Sequence, residues 1–147
     1  MRYFRTFRIA FLGACVVGCG SYPRDFREAV TDQATPPVSP EGPWKGEWRS
    51  EVNGHHGPLW CMVERVDAGH HAFRYRAGWG VMSFGDYTHV AATQSDGRGG
   101  IRFSGEMDLP GGAGTYSVDG RVTPRSFTAR YRSDRGDRGV MELSRPD

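Results

Sequence analysis

From Trp44 to the C-terminus, apolar and polar residues alternate with a period of two. Trp44, Gly46, Trp48 and Ser50 alternate with Lys45, Glu47, Arg49 and Glu51, and Phe73, Tyr75, Ala77 and Trp79 with Ala72, Arg74 and Arg76. The same holds for Ile101, Phe103, Gly105 and Met107, for Tyr116, Val118, Gly120 and Val122, and for Phe127, Ala129, Tyr131 and Ser133. Alternation of this kind places one set of side chains on a buried face and the other in water, so each segment is predicted to be a half-buried strand. Leu59 to Asp67 is apolar on both faces except at Glu64 and Arg65, which predicts a strand and leaves its register open. Tyr87 to Gln94 and Val140 to Ser144 bring the count to about eight. Turn residues separate them at Asn53-Gly54, Asp67-Ala68-Gly69, Ser95-Asp96-Gly97, Leu109-Pro110-Gly111-Gly112, Thr123-Pro124 and Asp134 to Gly139. Short hairpins make sequence neighbours antiparallel, and closing such a meander removes its exposed edges. The fold class expected is therefore all-β, a small antiparallel up-and-down β-barrel of about eight strands, with a two-sheet β-sandwich as the alternative. Each apolar face also carries a small residue (Gly46, Ala77, Gly105, Gly120, Ala129), the large-and-small mixture that fills a tapering barrel.

The pattern changes ahead of Trp44. Arg2, Arg5 and Arg8 precede the apolar run Ile9 to Val17, the layout of a secretory signal and shorter than the roughly 20 residues that span a bilayer. The run closes on Val16-Val17-Gly18-Cys19, which resembles the lipobox of bacterial lipoproteins. The resemblance implies cleavage before Cys19, a lipid on that cysteine and, because Gly20 rather than aspartate follows it, an outer-membrane location in the cell envelope. Leu12-Gly13-Ala14-Cys15 is a second match, making Cys15 the alternative. The chain thus divides into a signal peptide (1–18), a lipidated cysteine with a proline-rich tether (19–43) and a domain (44–147). Within the tether, Asp25 to Val30 is expected to make one or two helical turns, marginal without a tertiary contact. Thr35 to Pro40 favours extended polyproline II backbone.

Cleavage alters the charge. The chain has a formal net charge of +2, but without Arg2, Arg5 and Arg8 its 19 basic residues become 16 against 17 acidic ones, a net of −1. The apparent basicity is a property of the signal, and a nucleic-acid partner is not expected. Of three cysteines, cleavage before Cys19 leaves Cys61 as a lone thiol, whereas cleavage before Cys15 leaves Cys19 and Cys61 able to pair in an oxidising envelope.

Gly42-Pro43-Trp44 and Gly46-Glu47-Trp48 set a Gly-x-Trp at the start of the first strand, and in this the domain resembles the calycins, the lipocalin and avidin group of ligand-binding barrels. The resemblance implies a barrel with a ligand cavity and transfers no site residue. Candidate ligand contacts come from the residues themselves. Asn53-Gly-His-His-Gly-Pro58 is a loop rich in backbone freedom and hydrogen-bonding groups at one barrel end, with Asn53, His55 and His56 as its polar members. Trp60 and Trp79 flank it and are suited to stacking, although core packing is the commoner fate of strand tryptophans. Tyr75, Tyr116 and Tyr131, on inward positions, would supply the few polar groups of an apolar pocket. Five histidines invite a metal reading, with His55, His56 and His89 as its set, but ligand spacing is missing and solvated loop histidines are expected instead. Neither a Gly-x-Ser-x-Gly turn nor a phosphate-binding Gly-x-x-x-x-Gly-Lys occurs, and no carboxylate pair is marked as converging. No enzyme and no cofactor are expected. The sequence points to an envelope lipoprotein held by its lipid on a membrane, its barrel binding a small apolar ligand or an envelope protein. A filled barrel serving as a structural or inhibitory interaction module is the second reading, and a metal-dependent enzyme a distant third.

Overall fold

The computed structural model describes residues 20–109 and 112–147. The segment read as a signal peptide and both lipidation candidates, Cys15 and Cys19, lie outside the described residues. Among the described residues eight strands follow one helix, α1 (Tyr22–Asp32): β1 (Gly42–Ser50), β2 (His56–Asp67), β3 (His70–Trp79), β4 (Met82–Ser95), β5 (Ile101–Leu109), β6 (Gly114–Val122), β7 (Ser126–Ser133) and β8 (Arg138–Ser144). Each strand pairs with the next and β8 returns to β1, giving the closed up-and-down barrel expected and excluding the sandwich. β1 begins at Gly42, two residues before the predicted boundary.

Closure depends on two glycines. A Cβ on Gly46 would overlap the Glu142 carbonyl and the Leu143 backbone, and one on Gly139 would overlap the Arg49 carbonyl. Both sit on the β1–β8 seam, where Gly46 faces Leu143 and Ser50 faces Gly139. The small inward residue read as a response to taper serves here to let two backbones meet.

Alternation along the strands holds as predicted: Leu59, Cys61 and Val63 of β2, and Phe73 and Tyr75 of β3, are buried inward, as are Phe103, Val118, Phe127 and Met141. One end of the barrel is solid. The Phe73 and Phe103 rings stack with centroids 4.3 Å apart, and Phe127 meets Phe73 edge-on at 6.1 Å. Full burial of a Phe-sized side chain stabilises by about 1.5–3 kcal/mol. Trp44 seals this end, its indole N–H donating to the Pro40 carbonyl (3.0 Å). The Arg145 guanidinium lies 3.8 Å from the centroid of the Trp44 ring, and donates to the carbonyls of Ser39, Pro43 and Pro124. Burial pulls the Arg145 pKa down to about 10. His71 closes the same end, bonded through one ring nitrogen to Thr93 and through the other to Glu41.

The segment read as a tether is partly folded. Its helix runs for eleven residues rather than one or two turns, because it has the tertiary contacts an isolated helix would lack. Arg74, pointing out from β3, bonds Asp25 and Ser21 at the helix start and Asp86 on β4. Tyr22 is buried, donates its hydroxyl proton to the Arg74 carbonyl and lies under the Arg74 guanidinium. At the other end, Gln33 donates to the Pro146 carbonyl. The helix therefore crosses the outer wall from β3 toward the C-terminus. Met62, the β2 residue paired with Arg74, is buried as well, although its neighbours Cys61 and Val63 are also buried.

Candidate functional site

The other end of the barrel is open. The turns after β1, β3, β5 and β7 gather there, and between them lies a cavity of about 520 Å3, within the range of small-molecule sites. Trp48, Leu59, Ala77, Tyr87, Met107 and Met141 form its wall, with Trp79, Tyr116 and Tyr131 toward the rim. The indole N–H of Trp48 donates to the Gly78 carbonyl (3.0 Å), which fixes the ring. At the rim the Tyr131 hydroxyl donates to Asp137 (3.2 Å), whose other oxygen accepts from the Ser50 hydroxyl (2.6 Å). Burial, then the neighbouring Asp137 charge, pushes the Tyr131 pKa up, so its hydroxyl stays protonated.

Below this wall the core changes character. Tyr75 and His89 lie one layer nearer the closed end, both buried, and neither the Tyr75 hydroxyl nor either ring nitrogen of His89 has a hydrogen-bond partner among the described residues. Burial lowers the His89 pKa and keeps the imidazole neutral. The β4–β5 ladder runs only from Ser95↔Ile101 to Ala92↔Ser104, so above that point β4 pairs with β3 alone and β5 with β6 alone.

The sequence-predicted contacts divide accordingly. Trp79, Tyr116 and Tyr131 line the cavity, and Tyr75 sits beneath it. His55 reaches the rim by packing on Trp79, with ring centroids 5.1 Å apart. Asn53 instead holds the turn, its side-chain oxygen accepting the His55 backbone N–H (2.9 Å). His56 is the exposed first residue of β2. Trp60 is corrected to the outer wall: it lies between the inward residues Leu59 and Cys61, so the pleat turns it away from the cavity.

The expectation of solvated loop histidines is corrected at two positions. His71 lies within β3 and His89 in the middle of β4, both buried. The metal set His55, His56 and His89 is not brought together, since the first two sit at the open-end turn and His89 points into the core. Asp86 faces outward onto Arg74. Among the described residues no three His, Cys, Asp or Glu side chains are placed to hold a metal ion. Cys61 faces the interior with no exposure, and burial raises its pKa well above the usual thiol value. Any disulfide partner of Cys61 would have to enter the barrel.

Sequence reasoning missed Trp48, Leu59, Tyr87, Met107, Asp137 and Met141 as cavity residues. Their parity identifies the first four and Met141 as inward, and their nearness to the turns after β1, β3, β5 and β7 is the signal that selects this end. A wider groove of about 670 Å3 crosses the outer wall over β5–β8, lined by Arg102, Arg121 and Arg130 with Asp119 and Glu142. Comparison of the chain with protein-family models, with curated proteins and with solved structures finds no match.

Proposed function

We propose that this protein is a lipid-anchored component of the bacterial cell envelope whose barrel binds a small apolar ligand in the open-end cavity. The observation that carries the binding reading is the asymmetry of the interior: Trp44, Phe73, Phe103 and Phe127 fill one end, while about 520 Å3 walled by Trp48, Leu59, Tyr87 and Met107 remains at the other. An eight-stranded barrel either fills with its own side chains or holds one small ligand, and this one divides its length between the two. The lining is mainly apolar with a few fixed polar groups at the rim, the composition of small-molecule sites.

Native mass spectrometry of protein purified without detergent tests the binding reading. The expected spectrum contains a species heavier than the polypeptide by one small molecule, which denaturation removes. Bare protein alone, together with no binding of the neutral probe N-phenyl-1-naphthylamine, would reject it. The anchor is tested separately by the mass of the mature N-terminal peptide, expected to begin at acylated Cys19. A peptide beginning at Cys15 selects the alternative site, and an unmodified N-terminus at or before Gly13 removes the lipoprotein reading.

A further inference from the structure

Three neighbouring strands stack their inward residues in the same order toward the closed end. On β3 the order is Ala77, Tyr75, Phe73, on β4 Tyr87, His89, Ala91, and on β5 Met107, Gly105, Phe103. The first residue of each lines the cavity and the third belongs to the solid core. On the β3–β4 ladder Tyr75 stands opposite Tyr87 and His89 opposite Phe73, so Tyr75 and His89 are diagonal neighbours on the inner face. Three polar atoms are buried there without partners among the described residues: the Tyr75 hydroxyl and both imidazole nitrogens. An unpaired buried polar group is costly, and native interiors rarely collect several.

The surroundings of this layer are built for an occupant. Gly105 makes room for the imidazole, since a Cβ there would lie 2.5 Å from His89 Nε2. Tyr87 both lines the cavity and stacks on Tyr75, with centroids 5.7 Å apart, so its ring is the cover between cavity and floor. Beside His89 the wall is untied, because the β4–β5 ladder stops at Ala92↔Ser104. That gives Tyr87 and His89 a strand bonded on one side only.

We propose that Tyr75 and His89 are the polar floor of the cavity and bind the single neutral hydroxyl end of an otherwise apolar, chain-like ligand, with the Tyr87 ring turning aside to admit it. Tyr75 donates its hydroxyl proton to the ligand oxygen, and the ligand hydroxyl donates to the unprotonated nitrogen of His89. A neutral end is selected because the inward residues around the floor are Cys61, Ala77, Tyr87, Met107 and Phe73, with no cation there among the described residues to pair a carboxylate. The proposal rests on the cavity-binding reading and adds the chemistry of the ligand to it.

Displacement of N-phenyl-1-naphthylamine from the purified whole protein by 1-octanol and by 1-chlorooctane separates the two ideas. The alkyl chains are the same and only the alcohol donates a hydrogen bond. Two recovered hydrogen bonds predict that octanol displaces the probe at about tenfold lower concentration than chlorooctane, and that Tyr75→Phe and His89→Phe each remove most of that octanol-to-chlorooctane ratio. A readout on the unmutated protein guards against misfolded variants: the His89 ring nitrogen-15 resonances move on addition of octanol and not of chlorooctane. Equal displacement by the two compounds, or His89 resonances indifferent to octanol, overturns the polar floor and leaves the cavity reading standing. Failure of the probe and of both compounds to bind removes the cavity reading and the floor with it.

Discussion

Gly46 and Gly139 sit on the β1–β8 seam, where a side chain would meet the Glu142 and Leu143 backbone at the first and the Arg49 carbonyl and Tyr131 ring at the second. Gly46→Val is expected to cost about 1–3 kcal/mol as overpacking, seen as a lower urea midpoint with an unchanged slope. Phe103→Ala, in contrast, opens a void in the stacked core and is expected to cost about 3–5 kcal/mol by the same measurement. Asp96 supplies a pH-dependent contribution. The Arg121 guanidinium, then the backbone N–H groups of Arg98 and Gly100, hold its pKa at about 2 against an ordinary 3.8. Its contribution is therefore present above pH 3.8 and lost as the pH falls toward about 2, because the unfolded chain takes up the proton first. Asp96→Asn is expected to flatten the fall of stability across that interval; an unchanged acid profile would show that Asp96 has no such role. At this scale the sequence was informative about in and out, since parity is local. Its reading of Trp60 as a ligand contact failed because nearness to a loop says nothing about which side of the sheet a side chain takes.

At the scale of elements, all eight strands were legible, because alternation and turn residues are local signals. The helix was the least legible, since an eleven-residue segment with three prolines close behind it folds only against a partner surface. That surface is written 49 residues away, in Arg74. Arg74→Ala is expected to release Tyr22–Asp32 while the barrel stays closed. Hydrogen exchange mass spectrometry would then show faster exchange over the helix and unchanged protection in β5–β8; unaltered protection of the helix would mean that Tyr22 and Gln33 suffice to hold it. Arg145 has the corresponding task at the closed end, where it joins the chain before β1, the β6–β7 turn and the C-terminal tail.

For the molecule as a whole, the two ends differ in what they can do. The closed end combines Trp44, Phe127 and Arg145, and the open end leaves Ala77 where a larger residue would fill the space. Ala77→Trp is expected to abolish binding of N-phenyl-1-naphthylamine while the denaturation midpoint stays equal or rises, since the indole occupies an existing void. Full binding by that variant would place the probe elsewhere, and the groove over β5–β8 would then be the surface to examine. The sequence by itself determined the strand count, the antiparallel order, which residues face inward on the alternating strands though not on β2, and a lone thiol in the domain, because each follows from a period or a composition read along a few residues. Only the tertiary structure decided which end is solid and which hollow, that His71 and His89 are buried, and that the presumed tether folds onto the wall. The physical reason is that filling is a property of the cross-section. Whether facing side chains meet depends on the register of strands up to a hundred residues apart, such as Trp44 beneath Arg145, and no local pattern encodes that distance.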